Sequence, residues 1–151
     1  MSKEIKALLL AELSQLLDER INTTLSEIES VKESRDSDTK SSAGDKYETG
    51  REMIQQELNK FQAQLSKFQT LKNDLARIDP SKIHTQVEFG SLVICNQGNY
   101  FLSVAFGKVH VQSTDYFCLS MVSPIGQALS GGKVGEQVLF NGKTILIEAI
   151  Y

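Results

Sequence analysis

Carboxylates crowd one short polar stretch of this chain. From Lys32 to Gly50 the sequence reads KESRDSDTKSSAGDKYETG, with Asp36, Asp38, Asp45 and Glu48 set among Ser, Thr, Gly and Lys and no aliphatic side chain apart from Ala43. Carboxylate oxygens are what hard divalent cations such as Mg²⁺ take as ligands, and one or two from a protein suffice when other groups complete the shell. The same composition also serves a solvated loop, in which Ser41 or Ser42 caps a following helix and Asp45 and Glu48 are favoured by its dipole. Composition leaves both readings open.

Other chemistries find little support. Gly126, Gly131, Gly132 and Gly135 have the wrong spacing for a phosphate-cradling loop and no Lys-Ser/Thr follows them. No Ser-His-Asp or Cys-His arrangement is present. His84 and His110 lack a Cys or His partner at ligand spacing, and Cys95 and Cys118 lie inside apolar strand-like runs, as buried thiols do. An enzyme acting on its own is not expected.

The elements that must carry the acidic stretch flank it. Before it, Ile5, Leu9, Leu13, Leu16, Leu17, Ile21, Leu25, Ile28 and Val31 recur mostly every three or four residues, one apolar stripe along a helix. After it, Ile54, Leu58, Phe61, Leu65, Phe68, Leu71, Leu75 and Ile78 repeat that rhythm near heptad spacing. Two seams of nearly equal length bury each other by folding back, which predicts an antiparallel coiled-coil hairpin over residues 1–79 with a polar tip at about 34–50. At 1.5 Å per residue each arm is on the order of 45 Å long. Leu8, Leu9 and Leu10 widen the stripe at this end, as do Leu16 and Leu17, leaving two readings: a base of the hairpin packed against the second domain, or a thicker core.

Composition changes at Asp79-Pro80. The chain is 40% hydrophobic and 23% charged with a net charge of -3, yet most of the charge precedes Pro80. Interspersed signs at that net charge argue against broad binding to nucleic-acid phosphates, so any nucleic acid is met only indirectly. No apolar run reaches membrane-spanning length and the first residues lack a signal-peptide core, so the expected setting is the cytoplasm. Beyond Pro80, runs at 91–95, 100–106, 108–112, 116–121, 137–140 and 144–150 read as strands. Asn141-Gly142 closes the last two as a hairpin. Ser123 as N-cap, Pro124 at the first helical position and Gly131 after the end describe one short helix. The fold class is α+β: a helical hairpin, then a small, mostly antiparallel sheet with one short helix.

The segment SMVSPIGQALSGGKVGE, Ser120 to Glu136, resembles the C-terminal signature of the Gre family of bacterial transcript-cleavage and elongation factors. Ser120, Ser123, Pro124, Ile125, Gly126, Ala128, Leu129, Gly135 and Glu136 fit it, and VEFGSLV (87–93) is similar to the strand that opens that domain. The resemblance implies an FKBP-like domain at 80–151 that docks on bacterial RNA polymerase through Ser123, Pro124, Ile125 and Gly126. It implies a coiled coil that enters the secondary channel, where two tip acids share a Mg²⁺ with the polymerase active centre. The tip departs from the family. Aligning Tyr47, Arg51 and Glu52 on the family's Tyr…Arg-Glu puts Lys40 and Ala43 where the acids belong, leaving Asp38 and Asp45 as the carboxylates for a polymerase-held Mg²⁺. The expected function is therefore a monomeric Gre-like factor that occupies the channel and modulates elongation or initiation, with no cofactor of its own. The alternative is a helical-hairpin scaffold with no polymerase role. Prolyl isomerase activity is disfavoured, since Phe89, Tyr100, Phe101, Phe106, Tyr116, Phe117 and Phe140 fall where core or cross-strand pairs are expected.

Overall fold

The computed structural model describes residues 2–38 and 45–151, with side chains described over 4–36 and 48–151. Two long helices, α1 (Ser2–Asp38) and α2 (Asp45–Leu75), precede strands β1 (Leu92–Cys95), β2 (Gly98–Leu102), β3 (Gly107–Val111) and β4 (Thr114–Leu119). The short helix α3 (Pro124–Leu129) follows, then β5 (Gln137–Phe140) and β6 (Lys143–Ile150). This is the α+β layout read from the sequence. The chain forms two compact units, Leu16–Thr70 and the combination of Met1–Gln15 with Leu71–Tyr151.

Within Leu16–Thr70, α1 and α2 lie side by side. The Arg20 guanidinium sits 5.9 Å from the centre of the Phe68 ring, close enough for cation–π attraction, and one shallow groove is lined by Arg20, Thr24 and Glu27 of α1 and by Gln64 and Phe68 of α2. In this unit the buried positions of α1 are Leu17, Thr24 and Ile28, and Leu58 is their counterpart on α2. The seam differs from the expected one at a single turn: Leu25 is 46% exposed while Thr24 is 3% exposed. Thr24 tolerates this place because its hydroxyl donates to the Arg20 carbonyl four residues back, at 2.8 Å, and so carries no unsatisfied polar atom inward.

In the other unit the six strands form one sheet in the order β3-β4-β2-β1-β6-β5. All neighbours are antiparallel except β2 and β4, which run parallel. Val93, Cys95, Tyr100, Leu102, Ile145 and Ile147 make a core with Val87 and with Leu129 of α3. Phe101 and Leu92, alternating with these along their strands and paired with each other, are buried as well.

Several boundaries differ from the sequence reading. The expected strand at 100–106 ends at Leu102: the Ser103 amide still bonds the Leu119 carbonyl beside it, and beyond that the Phe106 amide closes a turn onto the Val104 carbonyl. Gly98-Asn99, expected as a break, lies inside β2, and the two-residue turn is Asn96-Gln97. Between β3 and β4 the turn falls on Gln112 and Ser113, both left-handed at φ 48° and 65°, the geometry that matches strand twist in a two-residue hairpin. Asn141-Gly142 closes β5–β6 as expected, with φ 50° and 75°. Helix α2 stops at Leu75 rather than at Asp79, although Ile78 beyond it is buried.

Lys6 is a core residue that periodicity did not single out. It is 1% exposed, one position after the expected Ile5, and its ammonium donates to the Lys82 carbonyl at 3.0 Å and the Tyr151 carbonyl at 3.4 Å. Desolvation holds its pKa below the ordinary lysine value, opposed in part by the charge of Asp79.

His84, also buried, places Nδ1 2.6 Å from Oε1 of Glu88. That hydrogen bond, aided by the charges of His84 and Lys82, holds the Glu88 carboxyl below its ordinary value of 4.5. Because the folded chain favours the carboxylate, the stabilisation is complete above pH 4.5 and is lost as pH falls through the depressed value. The urea midpoint should therefore decline below pH 4.5. Glu88→Gln should flatten part of that decline, and an identical pH profile in the variant would contradict the assignment.

Candidate functional site

The Ser120–Glu136 signature divides into residues that build a turn and residues that it presents. Ser123 is extended (φ -65°, ψ 157°) and caps α3: its hydroxyl accepts from the Gly126 amide at 3.1 Å and donates to the Ser120 carbonyl at 2.6 Å. Pro124 takes the first helical position, where its missing N–H costs nothing. Gly126 is required by space, since a Cβ there would stand 2.3 Å from the Ser120 carbonyl oxygen and 2.8 Å from the Ser123 hydroxyl. Ile125 packs against the core. The four expected docking residues are thus brought together, and Ser123 and Gly126 serve as the frame.

What this frame displays is apolar. Val122 is 77% exposed and Pro124 is also exposed. The Gln127 side-chain amide donates to the Val122 carbonyl at 3.1 Å, tying the displayed residue to the helix. Val122 was missed by the sequence reading, although a signal existed. An apolar residue just before an N-cap ordinarily packs on the residue five positions later, and here that residue is the polar Gln127. Behind the turn, the Val87 amide donates to the Gly132 carbonyl at 2.8 Å and the Gly131 amide to the Val87 carbonyl at 2.9 Å. The opening segment of the domain is thereby clipped to the end of α3.

The tip residues are less fully placed. Asp36, on α1, is exposed and lies 3.5 Å from the Arg35 guanidinium. Glu48 and Arg51 are exposed on α2, where they line a shallow surface with Glu52 and Gln55. Asp38 ends α1 and Asp45 begins α2, with Tyr47 in its first turn; their side chains lie outside the described residues, as do Lys40 and Ala43 altogether. Among the described residues no group of three or more His, Cys, Asp or Glu could hold a metal ion.

Cys95 and Cys118 are free and buried, and desolvation pushes their thiols up to about 11 and about 12, far from a reactive thiolate. His110 sits at the β3–β4 hairpin, 2.7 Å from Asp115. No described helix is long and apolar enough to cross a membrane.

Taken by its architecture, the chain is an α+β protein in which a pair of long helices precedes a six-stranded sheet bearing one capped helix. Among solved structures it is similar to that of the transcription factor Gfh1, at 20% identity over 93% of this chain and 94% of that one, with a TM-score of 0.37. No protein-family model and no curated protein sequence matches it.

Proposed function

We propose that this chain is a Gre-like transcription factor that docks on bacterial RNA polymerase and places its paired helices in the secondary channel, modulating elongation or initiation. The observation that carries the reading is the Ser123-Pro124 turn: a rigid frame of hydrogen bonds that holds Val122 and Pro124 out to solvent. A rigid apolar projection needs little ordering on binding, which favours its use as an anchor. The order of elements and the Ser120–Glu136 resemblance support the same reading. In this role the factor acts in the cytoplasm as a monomer, meets nucleic acid only through the polymerase and catalyses nothing itself. With Lys40 and Ala43 where the family's acids belong, it occupies the channel without stimulating transcript cleavage. A polymerase-held Mg²⁺ would find oxygen ligands in Asp38 and Asp45, whose chemistry suits a hard cation.

The test is a stalled, backtracked elongation complex given the purified chain. The expected result is co-purification with the complex and no increase in RNA cleavage. Cleavage abolished by Asp38→Ala or Asp45→Ala would overturn the reading of the tip, and failure to co-purify would leave the scaffold.

A further inference from the structure

We propose that the cleft between α3 and the β5–β6 hairpin is a binding site for a small carboxylate with a compact apolar tail. The site shares Ile125 with the proposed docking turn, but its ligand does not depend on the polymerase reading.

Its floor and wall are apolar: Ile125 from α3, Phe140 from β5 and Ile145 from β6, with Tyr100 of β2 beside them. The volume is about 250 Å³, just below the range of roughly 300–1,000 Å³ that holds drug-sized ligands, so the fitting molecule is the size of one large side chain. Four polar side chains border it, and each can donate: the Tyr100 hydroxyl, the Gln97 and Asn141 amides and the Lys143 ammonium.

Tyr100 carries the argument furthest. The residue is 7% exposed, yet its hydroxyl has no hydrogen-bond partner among the described residues. No described side-chain oxygen is both sealed from solvent and unpaired, so solvent reaches this one, on a residue that lines the cleft. A hydroxyl that solvent reaches and no protein group holds can pair with a ligand without breaking a bond inside the protein. Burial also raises the phenol's pKa, which keeps it a proton donor at neutral pH. Lys143 supplies the charge. It is exposed, lies across the hairpin from Phe140, and has no carboxylate partner among the described residues. An apolar pocket bordered by neutral donors and one cation, with no acidic side chain in its lining, matches a carboxylate above an aliphatic or aromatic tail.

The test uses the full chain, ¹⁵N-labelled and titrated with phenylacetate, with phenylacetamide as the uncharged control. Saturable shifts are expected at Gln97, Ile125, Phe140 and Ile145, with phenylacetate bound at least about fivefold tighter than the amide. Tyr100→Phe should weaken phenylacetate about three- to tenfold, the effect of one net hydrogen bond. Lys143→Gln, at an exposed position, should keep the dispersed spectrum and erase the preference for the charged ligand. Absence of saturable shifts at these residues, or an unchanged phenylacetate affinity in either variant, would overturn the proposal. Neither result bears on polymerase binding, which is read separately.

Discussion

Gly126→Ala should lower the unfolding free energy by about 3 kcal/mol, at the upper end of what overpacking costs. The added methyl would stand 2.3 Å from the Ser120 carbonyl oxygen, 2.8 Å from the Ser123 hydroxyl and 3.0 Å from the Met121 carbonyl oxygen. Two of these are backbone atoms, so no side-chain rotation relieves the clash. The turn must open instead, and with it go the Ser123 hydrogen bonds and the fixed position of Val122 and Pro124. Polymerase binding should fall together with stability. Gly50, inside α2 with open space where a Cβ would point, is the matched control. Gly50→Ala should raise stability by about 0.5–1 kcal/mol, the ordinary helix preference for Ala over Gly. Urea denaturation of both variants decides the matter, and a Gly126→Ala chain as stable as the parent would show that the turn is looser than described.

Leu17→Ala should be comparably damaging, at about 2–5 kcal/mol, because Leu17 is fully buried and its removal leaves a cavity. Leu25→Ala should cost under about 1 kcal/mol, since nearly half of that side chain already meets solvent. The two leucines look equivalent in an apolar stripe, so the contrast tests which face of α1 is the seam. Equal losses, measured by the far-UV signal during denaturation, would return Leu25 to the interior and displace Thr24.

That contrast also shows where the sequence was legible. Features set by local chemistry could be read directly: the Ser123 cap, Pro124 at the first helical position, the Asn141-Gly142 hairpin, and the long amphipathic runs that became α1 and α2. Features set by partners distant in the chain could not. Lys6 is held by the carbonyls of Lys82 and Tyr151, which no pattern near residue 6 announces. Thr24 is buried through a bond to its own helix, a possibility that counting apolar residues passes over. The early end of β2 comes with a turn in which the Phe106 amide bonds the Val104 carbonyl, inside a run that reads as continuous strand. In the candidate site, spacing marked Ser123 to Gly126 but not Val122, whose significance lies in having nothing packed on it.

The most direct measurement of the central claim is the affinity of purified bacterial RNA polymerase for the immobilised chain, compared with Val122→Asp. Val122 is exposed, so the variant should unfold at the parent's temperature. A carboxylate in an apolar contact should nevertheless weaken the complex at least about tenfold, the equivalent of about 1.4 kcal/mol. That result is the one the account predicts. No measurable polymerase binding by the parent chain, or equal binding by the variant, would contradict it.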